Sequence, residues 1–344
     1  MISRRFTFPS NDGTHEIHAM EWRPAEGLPV HGVIQIIHGM CEYLERYEEF
    51  ASYLVSHGFI VAIHDQLGHG DTAADEEEFG FFTKMKSRSS TRVRLGALAS
   101  TTVSDLRTES PGVADVLVAD IHRLRLVMQR RYPELPYYML GHSMGSYLLR
   151  KYLAEYDAKD LTGAIIMGTG FVAPSKTRGA LGLIKANAAL HGWHYRSELI
   201  RKIATGGGPY KRYDTYGRDI KNSWLSKNGD NVRAYYANPK SKFIFTLNGY
   251  EGLLEAVLAS CSKESIAAIP KELPIYLVSG ELDPVGDLGA GVRKVYTLYK
   301  QAGLKDLSMR LFAGDRHEIL NETDRADVYA DILSWIEDHM PQKA

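Results

Sequence analysis

Short apolar runs alternate along this chain with longer stretches of helical period, and that alternation leaves few architectures open. Runs at residues 5–8, 16–22, 33–37, 59–64, 136–140, 164–167, 275–279 and 309–312 have the length and composition of strands. The first two flank Asn11-Asp12-Gly13, which predicts an opening hairpin. Between the runs, 46–56, 112–131, 146–155 and 325–338 carry apolar residues at helical spacing. In the last of these, Val328, Ile332, Trp335 and Ile336 form one stripe, with Asn321 as the expected cap. Strand-helix alternation of this kind predicts an α/β fold: a mostly parallel, eight-stranded sheet with helices on both faces.

Two segments break the rhythm. Residues 84–110 are rich in Ser, Thr and Arg, and Lys84, Lys86, Arg88, Arg92 and Arg94 have no acid among them. The segment reads either as a solvated loop or as a binder of an anionic surface. Residues 171–254 separate two strands by far more chain than an ordinary connection needs. We read them as an inserted helical cap on a core made of 1–170 and 255–344. A length of 344 residues allows this, since about 150 per domain leaves room for one α/β body with an insertion.

Composition excludes several classes. With 44% apolar and 24% charged residues, neither a disordered nor a fibrous chain fits. A net charge of -1 argues against nucleic-acid binding through a general positive field. The two cysteines, Cys41 and Cys261, are too few for a disulfide framework or a Cys-rich zinc site and fit a reducing, cytoplasmic setting. No signal peptide, membrane-spanning stretch or lipidation signal is expected, so any contact with a membrane would be made from the water side, through the cap.

The most informative pentapeptide is Gly141-His142-Ser143-Met144-Gly145. It follows an apolar run and precedes the stripe Leu148, Leu149, Tyr152, Leu153, the strand-turn-helix setting of a nucleophile elbow. The alternative is a Gly-rich turn with an incidental serine. A serine hydroxyl is a weak nucleophile at neutral pH and needs a base that a third group orients. His317 follows the run ending at Phe312, and Asp283 follows the run ending at Ser279, so each belongs to a loop at a strand's carboxyl end. Glu281 and Asp315 are fallback acids. Attack on an acyl carbon also needs donors for the developing oxyanion. The backbone amides of Met144, directly after the serine, and Met40, in the loop after the third strand, are the candidates. His38 reads as a loop-shaping residue.

Together, His38-Gly39-Met40-Cys41-Glu42 with Arg46-Tyr47, then Asp65-Gln66-Leu67-Gly68-His69-Gly70, the serine pentapeptide, Gly280-Glu281-Leu282-Asp283-Pro284 and Arg316-His317-Glu318 resemble the monoacylglycerol lipase and lysophospholipase branch of the α/β-hydrolases. The motifs span residues 38–318. The resemblance implies the α/β-hydrolase fold and hydrolysis of a single-chain acyl ester through an acyl-enzyme. Ser143, Asp283 and His317 would form the triad and Met40 and Met144 the oxyanion hole, with no cofactor and no metal. Two departures bear on substrate range: Tyr43 stands where relatives often have histidine, and the basic segment is longer than in simple members.

Within the cap, 180–190 is apolar around nearly its whole circumference, so it is either packed on both sides or offers apolar surface to a lipid or acyl chain. Trp193, Tyr195, Tyr210, Tyr213, Tyr216, Trp224, Tyr235 and Tyr236 are suited to lining a pocket mouth, or simply to packing. Gly206-Gly207-Gly208 reads as a joint rather than a phosphate loop, and His191 with His194 lacks the further ligands of a metal site. An aminopeptidase would need an acid in the cap for the substrate amine, for which Glu198, Asp214 and Asp219 are available. A non-hydrolysing ligand-binding protein is the remaining alternative, and it has no use for an activated serine.

Overall fold

The structure is a computed structural model that describes residues 1–83, 111–156 and 158–341. The basic segment at 84–110 therefore lies outside the described residues. Each expected strand forms: β1 (Ile2–Pro9), β2 (Glu16–Arg23), β3 (Gly32–Ile37), β4 (Phe59–His64), β5 (Tyr137–His142), β6 (Gly163–Met167), β7 (Ile275–Gly280) and β8 (Leu307–Phe312). They make one sheet in the order β1-β2-β4-β3-β5-β6-β7-β8, parallel from β4 to β8. At its edge β1 and β2 pair antiparallel, joined by the predicted turn, where Gly13 adopts φ 77°.

The helices are α1 (Glu48–Ser56), α2 (Val113–Arg131), α3 (Met144–Glu155), α4 (Pro174–His191), α5 (Glu198–Thr205), α6 (Gly229–Ala237), α7 (Leu247–Ser260), α8 (Lys263–Ala268), α9 (Ala290–Gln301) and α10 (Arg325–Asp338). Strand periodicity sends successive side chains to opposite faces, so Val33 and Ile37 enter one core while Ile34 and Ile36 enter the other. The first core takes Leu117, Ile121 and Leu124 of α2, Leu148 and Leu149 of α3, and Val292, Val295 and Tyr299 of α9. The second takes Phe50 and Leu54 of α1 and Val328, Ile332 and Ile336 of α10. Both faces of the sheet are thus covered, which a parallel sheet of all-apolar strands requires.

Chain order and sheet order part company at β3, which has β4 on one side and β5 on the other. Such a reversal of strand order is the usual place for a ligand in an open α/β sheet, at the carboxyl ends of the strands.

Several local expectations change. Asn321 does not cap the last helix: residues 319–321 form a separate 3-10 turn, and Asp324 occupies the position before α10. The apolar segment of α4 is not packed on both sides. It buries only Thr177, Ile184 and Ala188, while Leu183 is 42% and Leu190 80% exposed. α7 packs on α2, α3 and α4, and position 254 falls inside it. Among the described residues, no helix is long and apolar enough to cross a membrane.

Candidate active site

Ser143 sits between β5 and α3 with φ 54° and ψ −119°, a backbone region that side chains other than glycine rarely occupy. Its neighbours hold it there. The Ser143 amide donates to the Met167 carbonyl at 3.0 Å, and the Ser146 hydroxyl donates to the Ser143 carbonyl at 2.6 Å. The flanking residues must be glycine for steric reasons. A Cβ on Gly141 would lie 2.4 Å from the Gly145 carbonyl oxygen, and one on Gly145 would lie 2.1 Å from that of Ile37. The tight turn follows from these close approaches, and it presents the serine at the sheet's carboxyl edge.

The acid and histidine loops are joined to each other before they reach the serine. The amides of Glu281 and Leu282 donate to the carbonyls of Phe312 and Asp315 at 2.9 and 2.8 Å. A Cβ on Gly280 would fall 2.1 Å from the Arg316 carbonyl oxygen, so only glycine lets the loops approach this closely. His317 thereby reaches both partners: Nε2 lies 2.8 Å from Ser143 Oγ and Nδ1 lies 3.0 Å from Asp283 Oδ2. His317 and Asp283 are both buried. Asp283 also accepts the Ser279 hydroxyl at 3.0 Å and the Val285 amide at 2.8 Å. Burial alone would raise its pKa, but the charge and hydrogen bond of His317, with these donors, hold it below the usual carboxylate range.

The loop after β3 comes against the serine. A Cβ on Gly39 would lie 2.9 Å from Ser143 Cβ; Met40 is the residue after this contact, and Met144 is the first residue of α3. His38 is buried within that loop; its Nε2 accepts the Gln66 amide at 2.9 Å, and burial lowers its pKa. This agrees with a loop-shaping role. Cys41 is buried, and burial pushes its thiol pKa up.

The other candidates lie outside this relay. Glu281 is exposed. Asp315 binds Lys227, with its pKa raised to about 6 by burial. Asp214 accepts the amides of Arg218 and Asp219, Asp219 accepts those of Lys221 and Asn222, and Glu198 pairs with Arg201 at 2.8 Å. His191 stacks on Tyr195 and His194 on Phe81, with ring centroids 4.6 and 3.8 Å apart.

Sequence reasoning missed the layer behind the histidine. The buried His142 ring lies 4.8 Å from that of His317, and its Nε2 donates to the His317 carbonyl at 3.3 Å. His142 Nδ1 lies 2.9 Å from Glu42 Oε2, which also accepts the Tyr47 hydroxyl at 2.9 Å. Arg46 bridges Glu42 and Glu318. Burial would raise the Glu42 pKa and lower that of His142, but their mutual attraction reverses both, giving a buried ion pair. Glu42 and Arg46 belong to the motif quoted above; their partner, the histidine inside the serine pentapeptide, had no signal beyond its position there. Trp224 lies over His317 with ring centroids 5.0 Å apart and planes at 30°.

Comparison with known proteins extends these observations. Residues 29–324 match the family described as serine aminopeptidase, S33. A monoacylglycerol lipase of Mycolicibacterium smegmatis is 25% identical over 313 residues, covering 90% of this chain and 89% of that protein. A monoglyceride lipase of Homo sapiens is 23% identical over 318 residues, covering 92% and 84%. Among solved structures, a highly thermostable carboxyl esterase from Bacillus coagulans in complex with glycerol superimposes with a TM-score of 0.81 at 27% identity, covering 99% of this chain and 100% of that one. The match spans most of the chain, including the serine, acid and histidine loops: this protein belongs to the serine aminopeptidase S33 family and has the α/β-hydrolase fold.

Proposed function

We propose that the protein is a serine hydrolase that cleaves carboxylic esters of a single acyl chain, of the monoacylglycerol or lysophospholipid type, through an acyl-enzyme. The observation that carries this reading is the unbroken relay from Ser143 Oγ to His317 Nε2 at 2.8 Å and from His317 Nδ1 to Asp283 Oδ2 at 3.0 Å. In the proposed reaction His317 takes the Ser143 proton as Oγ bonds to the acyl carbon. The carbonyl oxygen becomes an oxyanion, stabilised by the amides of Met40 and Met144; losing one such donor typically costs about 3 kcal/mol. His317 then returns the proton to the leaving alcohol as the ester C–O bond breaks. Water, activated by the same imidazole, releases the acid and frees the serine. Asp283, ionised by its surroundings, keeps Nε2 free to accept and stabilises the imidazolium.

The substrate class rests on the names of the relatives, two of which are monoacylglycerol or monoglyceride lipases. It rests also on the apolar surface of the segment we take as the cap, 171–254 over a core of 1–170 and 255–344. Leu183 and Leu190 of α4 and Leu199 and Ile203 of α5 are exposed there, suited to transient contact with a lipid surface from the cytoplasmic side. The acids that an aminopeptidase would offer a substrate amine are satisfied by neighbouring groups, which favours the ester. A small acyl ester, rather than nucleic acid, is the expected partner.

The test is a substrate panel of acyl esters varying in chain length and headgroup, with an aminoacyl anilide, with and without lipid vesicles, for the native protein and Ser143→Ala. The expected result is turnover of medium- and long-chain monoacyl esters, raised by vesicles and abolished in a folded Ser143→Ala. Substantial activity surviving the substitution would discard the nucleophile; preference for the anilide would discard the ester reading.

A further inference from the structure

Trp224 has no part in the relay just described, yet its indole covers the face of His317. We propose that Trp224 is a positioning residue: by lying over the imidazole it fixes the ring and stabilises the imidazolium that forms when His317 takes the Ser143 proton. The inference rests on the proposed roles of Ser143 and His317.

Three observations carry it. The first is stacking geometry: centroids 5.0 Å apart put the imidazole within the roughly 6 Å over which an aromatic face attracts a cation. Tryptophan has the strongest such face, and here the partner is buried, where the attraction is least weakened by water. The second is that the indole is held. Its Nε1 donates to the Tyr236 hydroxyl at 3.3 Å, its backbone amide donates to the Asp214 carbonyl at 3.2 Å, and the Tyr210 ring lies 5.7 Å away. The third is that the segment carrying Trp224 is fastened to the loop carrying His317. The Glu318 amide donates to the Leu225 carbonyl at 2.9 Å, and the Arg316 guanidinium donates to the Ser223 carbonyl. Trp224 and His317 therefore keep register even though they stand far apart in the chain.

The surrounding charges explain what such a face contributes. Asp283 favours the imidazolium from the Nδ1 side. The His142 ring lies 4.8 Å from that of His317, and its ion pair with Glu42 raises its pKa, so positive charge on it opposes a second cationic ring. Arg46 and Glu318 lie beyond it as a further ion pair. The indole offsets that opposition. No proton is added to the balance: it moves from Ser143 Oγ to His317 Nε2 as the acyl bond forms and on to the leaving alcohol, and Trp224 lowers the cost of its stay on the imidazole.

The experiment compares kcat, KM and pH profiles of native protein, Trp224→Leu and Trp224→Phe, with thermal unfolding as a check on folding. Trp224→Leu is expected to lower kcat roughly 3- to 30-fold, with KM within about twofold, and to move the acidic limb of the kcat/KM profile to lower pH. Trp224→Phe is expected to restore part of both. A loss confined to KM with an unmoved pH profile would overturn the proposal, making Trp224 a wall of the substrate pocket, and an unchanged kcat would overturn it too. Should the leucine variant not fold, fluorinated tryptophans at position 224 keep the ring's shape while draining its face of charge. A stepwise fall in kcat with fluorination is expected, and a flat series overturns the proposal. Ser143→Ala runs in parallel: activity surviving there defeats the nucleophile assignment and this proposal together, whereas failure of the Trp224 arms alone leaves the assignment standing.

Discussion

Ser143 and the Glu42–His142 pair each hold a conformation or charge state that would be costly alone. The serine's φ of 54° costs of the order of 1–3 kcal/mol, which the surrounding β3, β5 and α3 packing sustains. The Glu42–His142 pair keeps two charges out of water directly behind His317. Removing one partner of such a pair leaves the other uncompensated and typically costs about 3–5 kcal/mol. Glu42→Gln is therefore expected to lower the unfolding free energy by about that much near pH 6. The pH dependence follows from the two shifts. His142, raised above its ordinary 6.5, contributes stability that is fully present below pH 6.5 and is lost as pH rises through the raised value. Glu42, depressed below its ordinary 4.5, contributes stability that is present above pH 4.5 and is lost as pH falls through the depressed value. The pair thus contributes most between these limits. Urea unfolding at pH 6 and pH 9 checks it: the gap between native and Glu42→Gln should narrow at the higher pH, and a gap independent of pH would rule the ion pair out.

At the scale of elements, glycines separate close approach from mere looseness. A methyl on Gly145 would meet the Ile37 backbone at 2.1 Å, so α3 and β3 would have to part. Gly179 and Gly182 of α4 have nothing within 4 Å of the added carbon, and their φ is not positive. Gly145→Ala is expected to destabilise by several kcal/mol, of the order seen for overpacked cores or more. Gly182→Ala should stabilise by about 0.5–1 kcal/mol, since the helix loses a flexible residue and gains no clash. Paired thermal unfolding curves decide it; equal effects would mean that the elbow can relax. The same scale accounts for what was legible in the sequence. β4 forms over 59–64 as expected because the run is too short for a buried helix and is rich in β-branched Ile60, Val61 and Ile63. The sequence expectations do not include α9, although Val292, Val295 and Tyr299 form its buried stripe, or α7, whose apolar residues lie on several sides, against α2, α3 and α4. The spacing before α10 offered Asn321 as a cap, but the chain interposes a separate turn whose hydrogen bonds have no sequence signature. At the site, the serine, acid and histidine were legible because each follows a strand in a known order. The contacts of His142 and Trp224 with His317 were not, since they join residues remote in sequence, although Trp224 is among the aromatics the sequence offers for a pocket mouth or for packing.

Across the whole molecule, the sheet order brings three loops from β5, β7 and β8 to one rim and sets the loop after β3 opposite them. Hydrogen bonds from Arg316 and Glu318 tie residues 223–225 to the histidine loop, and Tyr213 ties its own segment to the acid loop by donating to the Leu282 carbonyl at 3.0 Å. In the proposed reading the rim carries the chemistry and the cap sets substrate preference, so chain length needs the ester panel. The central claim is that Ser143 is the activated nucleophile. Its most direct test is to treat the native protein and Ser143→Ala with a fluorophosphonate and to locate the adduct by peptide mass. The account predicts one adduct, on Ser143, formed under native conditions, absent from Ser143→Ala and lost on unfolding. A native protein that stays unlabelled, or an adduct at another residue, would contradict it.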